Sequence, residues 1–364
     1  MCKRWFGLAG IGLMLWVAPA FASKAGRPEV SYPVIPVVVN ANADSVYPSV
    51  AGNFLVYSQR RHGHYAVVRA TTLSPDTANR TVRPGFANEA IRFGVALDDG
   101  GIGYVSNRMG PVGAWVKMPH GDGHMAIANL GTYSGGVVPD RLSASVNGRI
   151  WCFDTSLDNT RRARMLTTFA DSSLNWEFLG QNWRLFSSGA SRIKVMYRAT
   201  KTGNTNKFSP PTLFVFNRDS GQLTMFPNAF DGAVSPDGRQ VAFVRENDGN
   251  FDIWVQNVDG SGLAQVTSSS YGDFEPAWSP DGAKLAFVSN RDSKGSVRQT
   301  SVYVIDLKTS VVTRATDAGS ATDGGPTWLD GDTILFHSDR NPKKSQSGTI
   351  SGWNIWKVRL QEVH

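Results

Sequence analysis

Arginine and aspartate recur at matched places along this 364-residue sequence and are its most regular candidates for chemistry. The arginines follow short apolar runs, at Arg60, Arg108, Arg291 and Arg340. The aspartates precede such runs, at Asp44, Asp231, Asp273 and Asp323. A guanidinium ion and a carboxylate form strong, directional pairs, so the two sets could pin loops to one another. Alternatively, the arginines form a ring that holds an acidic ligand or partner.

Further basic residues lie in long polar segments that differ from repeat to repeat. A single binding site breaks the symmetry of a repeat protein, so these segments are candidates for such a site. The candidate basic face consists of Arg60, Arg61, His62, Arg108, Arg291, Lys294, Arg298, Arg340, Lys343 and Lys344. A solvated basic rim without a partner is the alternative, since loops are usually polar.

Groups typical of hydrolytic or metal-dependent enzymes are sparse. No Gly-x-Ser-x-Gly nucleophile motif occurs. Two histidine pairs, His62 with His64 and His120 with His124, have no third ligand nearby in sequence, so exposed loop histidines explain them better than a metal centre. Asn247–Asp252 lacks the spacing and terminal Glu of a calcium loop, and a hairpin turn accounts for it. We therefore predict no catalytic residue, metal or cofactor.

The N-terminal segment predicts export. A basic start precedes an apolar run that ends at Val17 and is too short to span a bilayer, and Ala20-Phe21-Ala22 fits a cleavage site. We predict a signal peptide over residues 1–22, a flexible lead over 23–33 and one folded domain over 34–364.

Composition narrows the class further. The formal net charge of +7 would suit nucleic acid, but the export signal argues against that partner. Cys2 lies in the predicted signal peptide, which leaves Cys152 alone, so packing rather than a disulfide must stabilise the fold. The chain has 11 Trp and 19 Phe with which to build a core. We expect a periplasmic or secreted monomer without stable membrane insertion.

The elements that would position the charged residues are short strands in a repeated unit, clearest over residues 273–316. Pro280-Asp281-Gly282 closes a turn in which Gly takes the left-handed position. The consecutive apolar residues Leu285–Val288 suit a strand covered on both faces. Turn glycines recur every 41 to 49 residues, at Gly52, Gly100, Gly148, Gly189, Gly238, Gly282 and Gly331. A period in the forties with four strands per unit is typical of a β-propeller blade.

We predict an all-β propeller of seven four-stranded blades, with six as the alternative. The two counts differ at Trp176–Phe186, where two short segments could belong to separate blades, at 140–179 and 183–226, or could form one connection. The last repeat lacks an outer strand, and Pro36–Asn40 has no partner nearby in sequence. We predict that this N-terminal strand joins the last blade and closes the ring, which would leave no open edge.

The repeat resembles that of TolB and of other exported WD40-like propellers. The resemblance rests on Pro276-Ala-Trp-Ser-Pro-Asp-Gly282 followed by Leu285-Ala-Phe-Val-Ser-Asn-Arg291, and it is close over residues 231–360. Over 44–226 it is degenerate, surviving mainly as Phe54–Arg60 and Ile102–Arg108. TolB-like proteins use the propeller to engage a peptidoglycan-associated lipoprotein and carry an α/β domain before it. Here the first repeat follows soon after the predicted cleavage site, so we expect a stand-alone relative and do not transfer the partner.

The resemblance and the basic loops together favour a non-catalytic exported propeller that binds or scaffolds a protein at the cell envelope, through an acidic surface on that protein. The alternative is an oligosaccharide-binding or lyase-type propeller acting on acidic sugars, as in oligogalacturonate lyases, which the basic face would also suit. Stoichiometric manganese or calcium at a histidine cluster would favour the lyase, and a metal-free protein would favour the binding module.

Overall fold

The computed structural model describes most of the chain from Tyr32 onward. The described residues are 32–40, 42–61, 64–75, 77–85, 89, 91–106, 108, 113–127, 142–155, 183–188, 193–198, 212–296, 299–340 and 352–360. They form β-strands and one 3₁₀ turn, Arg291–Ser293. No helix in this part of the chain is long and apolar enough to cross a membrane. The predicted signal peptide and residues 23–31 of the predicted lead lie outside it.

Six antiparallel four-stranded sheets form the blades, and in four of them the paired strands follow one another in sequence. Blade 1 follows the first strand, β1 (Val34–Val38), and contains β2 (Asp44–Ala51), β3 (Phe54–Arg61), β4 (His64–Thr71) and β5 (Arg80–Val82). Blade 2 contains β6 (Ile91–Ala96), β7 (Ile102–Ser106), β8 (Gly113–Lys117) and β9 (His124–Ala126). Blade 3 begins with β10 (Leu142–Ala144) and β11 (Ile150–Thr155).

The chain then forms a hairpin of β12 (Trp183–Ser188) and β13 (Ile193–Arg198) before blade 3 is completed by β14 (Thr212–Asn217) and β15 (Leu223–Pro227). Blade 4 contains β16 (Phe230–Val234), β17 (Gln240–Asn247), β18 (Asn250–Asn257) and β19 (Ala264–Gln265). Blade 5 contains β20 (Asp273–Trp278), β21 (Lys284–Ser289), β22 (Ser301–Asp306) and β23 (Val312–Arg314). Blade 6 contains β24 (Asp323–Trp328), β25 (Thr333–Ser338) and β26 (Asn354–Arg359).

The β-propeller is therefore confirmed, with the six blades of the alternative rather than seven. The segments assigned to separate third and fourth blades belong to one blade, because β14 pairs with β11 across an insertion of more than fifty residues. Within the described strands, β12 and β13 pair only with each other. Because their sequence resembles that of blade strands, the seven-blade prediction assigned them to a separate blade at 183–226.

The N-terminal strand closes the ring as predicted. β1 pairs antiparallel with β26, with Val34 opposite Val358 and Val38 opposite Ile355. The strand runs over Val34–Val38, two residues earlier than the predicted segment. It supplies the outer strand that blade 6 lacks, so the first and last parts of the chain share one sheet.

The first turn of blades 4 and 5 is fixed by a serine hydroxyl and an aspartate carboxylate. In blade 5 the Ser279 hydroxyl donates to Asp281 Oδ1 (2.5 Å) and accepts from the Lys284 amide (2.8 Å). The bond from Ser279 is the main cause that holds the pKa of Asp281 below its usual value. Gly282 has φ +70°, the left-handed conformation predicted for it. Equivalent bonds join Ser235 to Asp237 and Ser145 to Asn147.

A β-bulge interrupts the innermost strand of five blades. The bulge residue is left-handed, with φ between 51 and 53°, and is followed by Pro or Gly. The five residues are Tyr47, Phe93, Asp231, Glu275 and Gly325. A bulge leaves one residue out of the ladder and turns its side chain, so this position can vary between blades without disturbing the pairing.

The core lies between neighbouring blades rather than within one sheet. Phe251 of blade 4, for example, is buried with its ring centroid 5.6 Å from that of Phe274 in blade 5. Cys152 is fully buried. It packs where blade 4 approaches closely, since a Cβ on Gly232 would lie 2.2 Å from Cys152 Sγ. Because each blade is buried by its neighbours, the ring stabilises every blade within it.

Candidate binding face and central channel

Successive strands alternate in direction, so the connections gather on two opposite faces of the ring. We call one the loop face; it carries the loop before each innermost strand and the loop between the second and third strands. The other, the turn face, carries the first–second and third–fourth turns. Six of the ten residues of the candidate basic face are described, and these belong to the loop-face connections or to the strand ends beside them.

Arg291 of blade 5 is held by a buried ion pair. Its Nη2 donates to both oxygens of Asp273, at 2.8 and 3.0 Å, and its Nε donates to Ser289 Oγ at 3.0 Å. The Asp273 side chain is fully buried. The guanidinium also lies 4.6 Å from the centroid of the Tyr303 ring. With its donors directed inward, Arg291 pins the loop that follows β21.

Blade 6 repeats this arrangement. Arg340 Nη2 donates to both oxygens of the fully buried Asp323, and Nε donates to Ser338 Oγ at 3.1 Å. Thr316, at the end of blade 5, adds a hydroxyl bond of 2.6 Å to Asp323 Oδ2. Burial is the largest influence on the Asp323 carboxyl and raises its pKa. The buried carboxylate is therefore stabilised by the donors of Arg340 and Thr316 together.

Blade 2 builds a similar pair from a different acid. Arg108 Nε lies 3.4 Å from Oε1 of the buried Glu89, which also accepts a 2.7 Å bond from the Ser106 hydroxyl. Arg108 further donates to the hydroxyl of Tyr104. The position that aligns with Asp273 is occupied by Ile91, and Glu89 stands two residues before it. Aligning the repeats did not reveal Glu89, because this acid lies two residues before the position that corresponds to Asp273.

The other candidate residues divide into two groups. Arg61 and Lys294 are exposed, and Arg60 is partly buried opposite Asp44 in the β2–β3 register. His62, Arg298, Lys343 and Lys344 lie outside the described residues. The structure thus brings three of the predicted arginines into structural ion pairs and leaves Arg61 and Lys294 on the surface of the loop face.

The Lys294 loop is rigidly built. Lys294 has φ +53°, and the next residue, Gly295, donates its amide to the Asn290 carbonyl at 3.0 Å. The Ser293 hydroxyl bridges the same carbonyl (3.0 Å) and that of Ser296 (3.1 Å). Together with the Arg291 ion pair, these bonds fix the backbone from which the exposed Lys294 side chain extends on the loop face.

Blade 4 lacks both members of the ion pair. Ala229 and Asn247 occupy the positions of Asp273 and Arg291. A different acid, Asp252, is buried on the third strand, where burial, followed by the charge of Asp273, raises its pKa to about 7. No sequence motif marks Asp252, because the neighbouring carboxylate comes from blade 5.

The central channel contains a cavity of about 550 Å³ lined by all six innermost strands. Its lining extends from the bulge residues Tyr47 and Gly325 to the turn residues Pro236 and Pro280, so the cavity reaches the turn face. At the bulge level Tyr47 donates its amide to Nδ1 of the buried His337 (3.3 Å), and the Gly325 amide donates to Glu275 Oε2 (2.5 Å).

The predicted histidine pairs do not form a metal centre within the part of the chain that can be described. His124 Nδ1 lies 2.7 Å from the Tyr104 hydroxyl, and burial, with Arg108 and Lys117 adding to it, lowers the pKa of His124 to about 4. His120 is exposed in the preceding turn, and His62 lies outside this part. No group of three or more His, Cys, Asp or Glu in the described residues is placed to hold a metal ion.

Sequence comparison places this architecture among known propellers. Residues 209–302 match the family described as "TolB beta propeller domain". The fold is a β-propeller, and its residues 209–302 are similar to the TolB propeller family. The resemblance in its repeat is thereby confirmed for blades 4 and 5 in particular. The Tol-Pal system protein TolB of Anaeromyxobacter dehalogenans (strain 2CP-C) is 43% identical over 49 residues, which are 14% of this chain and 11% of that protein. The match thus spans about a tenth of that relative's length.

Two solved structures are similar to this chain at low sequence identity. A putative TolB from Agrobacterium tumefaciens is 18% identical with a TM-score of 0.49, over 74% of this chain and 79% of that one. An oligogalacturonate lyase in complex with manganese is 13% identical with a TM-score of 0.50, over 92% and 99%. The similarity to the lyase structure, at 13% identity, indicates a propeller fold. It does not choose between a binding protein and an enzyme.

Proposed function

We propose that this TolB-like propeller is a non-catalytic, exported module that binds an acidic surface of a protein at the cell envelope through its loop face. The observation that carries the proposal is the presentation of Lys294. Its side chain is exposed on a turn fixed by the Arg291–Asp273 ion pair and by six hydrogen bonds within Asn290–Ser296. A backbone that is ordered before binding loses little freedom when a partner arrives.

The remaining basic residues extend this surface across neighbouring blades. Arg61 is exposed at the end of β3 in blade 1, which follows blade 6 around the ring. Arg298 belongs to the same connection as Lys294, and Lys343 and Lys344 to the corresponding connection of blade 6. We propose that these charges form one basic surface over blades 5, 6 and 1. Rim charges of this kind steer an acidic partner and set the salt dependence of association.

Export and the domain limits belong to the same proposal. The signal-like residues 1–22 would direct the chain across the inner membrane, and the propeller would begin with β1 after a short lead. The similarity to Tol-Pal system protein TolB supports the envelope as the place of action. The identity of the protein partner does not transfer from so short a match.

The test is charge reversal with a control on the other face. One variant carries Lys294→Glu, Arg298→Glu, Lys343→Glu and Lys344→Glu. The control carries Arg149→Glu, Arg239→Glu, Lys308→Glu and Arg359→Glu. The control residues Arg149 and Arg239 are 67% and 84% exposed, beside turns of the turn face. Exposed charges contribute about 0 to 1 kcal/mol each to stability, so both variants should fold.

We expect the native protein and the control to capture the same envelope protein at low salt, and the loop-face variant to lose it. Capture should weaken as salt rises. Equal capture by both variants would contradict the loop-face proposal. Retention of the native protein on immobilised polygalacturonate, without capture of any protein, would instead support the acidic-sugar alternative.

A further inference from the structure

Two carboxylates and one guanidinium meet at the seam between blades 4 and 5. Asp273, at the start of β20, takes both of its hydrogen bonds with Arg291 from one nitrogen of that side chain. Asp252, near the start of β18, lies close enough for the charge of Asp273 to raise its pKa. Both acids are buried, at 0% and 4% exposure. The seam therefore contains two buried acids, of which only Asp273 forms an ion pair with Arg291.

The side chains that donate hydrogen bonds to Asp252 are uncharged and offset only part of the effect of burial on its pKa. Asp252 Oδ2 accepts bonds from two amides, Asn250 Nδ2 at 3.1 Å and Gln265 Nε2 at 3.2 Å, and the Thr267 hydroxyl also faces it. Its Oδ1 is buried without a hydrogen-bond donor among the described residues. Uncharged donors compensate a buried negative charge only in part, so the carboxyl tends to keep its proton.

The nearest other cation does not neutralise it. Arg245 stands opposite Asp252 in the β17–β18 register, but its guanidinium lies 5.5 Å from the centroid of the Trp254 ring. No ion pair between Arg245 and Asp252 is found within the described residues. The remaining positive group is Arg291 in blade 5, which is committed to Asp273.

We propose that Asp252 is a proton-controlled switch at this seam. Protonated, it allows blades 4 and 5 to pack with Arg291 fully engaged by Asp273. Ionised, it repels Asp273 and competes for Arg291, which loosens the turn that carries Lys294. Any effect on partner binding rests on the proposed function, because it acts through the same turn; the effect on the seam does not.

The sign of the pH dependence follows from the pKa of the carboxyl. Burial and Asp273 raise the pKa of Asp252 to about 7, whereas an unfolded chain releases this proton near about pH 4. The folded state thus holds a proton that the unfolded state has lost throughout that interval. Its contribution to stability is complete below about pH 4, falls as the pH rises toward 7 and is absent above.

Urea unfolding between pH 5 and 8 tests the switch, with Asp252→Asn as the variant and Asp248→Asn as the matched control. Asp248 is an exposed acid in the turn that leads into the same strand. For the native protein and the control, we expect the unfolding constant to increase by up to about tenfold per pH unit between pH 5 and 7, because Asp252 releases its proton on unfolding. The unfolding constant of Asp252→Asn should not show this increase with pH. Equal pH slopes in all three proteins would overturn the proposal.

Trypsin cleavage of the native protein tests the loosening of the turn even if Asp252→Asn fails to fold. The rate of cleavage after Lys294, divided by that after Lys308 on the turn face, should increase several-fold from pH 6 to pH 8. An unchanged ratio would overturn the switch. If the ratio changes but envelope-protein capture is absent at every pH, the proposed function fails and the switch stands.

Discussion

Two seams of the ring are held together in different ways: the seam between blades 5 and 6, and the closing seam between blades 6 and 1. At the first, Trp328 donates its Nε1 hydrogen to the Ala277 carbonyl (3.1 Å) beside the channel, and buried Asp323 joins the two blades on the loop face. At the closing seam Val50 takes the place of the tryptophan and Ser45 that of Asp323, and Asp44, one residue earlier, is only partly buried.

The closing seam compensates with contacts from outside the repeat. The backbone of Trp353 binds blade 1 twice, donating to Asp44 Oδ1 (3.0 Å) and accepting from the Ser45 amide (2.7 Å). The rings of Tyr47 and His337 pack 4.7 Å apart, and β1 adds a full strand to blade 6. An ordinary seam joins blades that are already adjacent in the chain. The closing seam must also hold the two ends of the chain together, so we expect strand pairing to dominate there.

Deleting residues 23–40 should have the largest effect. The deletion removes β1 together with the buried side chains of Tyr32 and Val38, each of which contributes about 1.5–3 kcal/mol by burial. It also exposes the edge of β26. We expect a loss of roughly 5 kcal/mol or more, measured by urea unfolding. The control deletes residues 23–31 and keeps the strand, and it should match the native protein. Equal stability of the two deletions would show that the strand does not close the ring.

Asp323→Ala should follow in size. The substitution leaves the Arg340 guanidinium largely buried without its carboxylate, which typically costs about 3–5 kcal/mol. The double variant Asp323→Ala with Arg340→Asn reproduces the Ala229 and Asn247 of blade 4, where the pair is absent as a unit. It should be more stable than Asp323→Ala alone in a double-mutant cycle. Independent, additive effects would show that the two residues are not coupled.

Blade 4 also shows which features a sequence can reveal. Its turn, Ser235-Pro-Asp-Gly238, follows from local geometry, as does the identical turn of blade 5, and both were predicted correctly. The acid that faces Asp252 comes from the next blade, and the carboxylate that binds Arg108 stands two residues from the aligned position. Such partners depend on how blades approach one another, so they could not be found without the structure.

The structure has the six blades of the alternative rather than the preferred seven for a related reason. The hairpin of β12 and β13 has the composition of blade strands and falls at the expected interval, with Gly189 between its strands. Only the pairing of β11 with β14 shows that it interrupts a blade instead of forming one. The closing strand was predictable because the last repeat had an evident gap. An insertion leaves no comparable gap in the pattern.

Trp328 separates packing from hydrogen bonding at the ordinary seam. Trp328→Ala should cost about 3–5 kcal/mol, because it removes a large buried side chain. Trp328→Phe keeps most of the apolar contact but leaves the Ala277 carbonyl without its donor, and it should cost about 1–2 kcal/mol. Thermal or urea unfolding of both variants measures the difference. If Trp328→Phe is as stable as the native protein, the hydrogen bond does not help to hold this seam.

Asp44 gives the smallest predicted effect and the most direct comparison with Asp323. Its Oδ1 accepts the Trp353 amide, and because the side chain is partly exposed, water can replace that bond. Asp44→Ala should therefore cost about 0.5–1.5 kcal/mol. Asp44→Asn keeps an oxygen in the same place and should be nearly neutral. Urea unfolding of both variants beside Asp323→Ala would rank the two loop-face contacts. A loss from Asp44→Ala as large as that from Asp323→Ala would mean that the closing seam depends on this contact and not chiefly on β1.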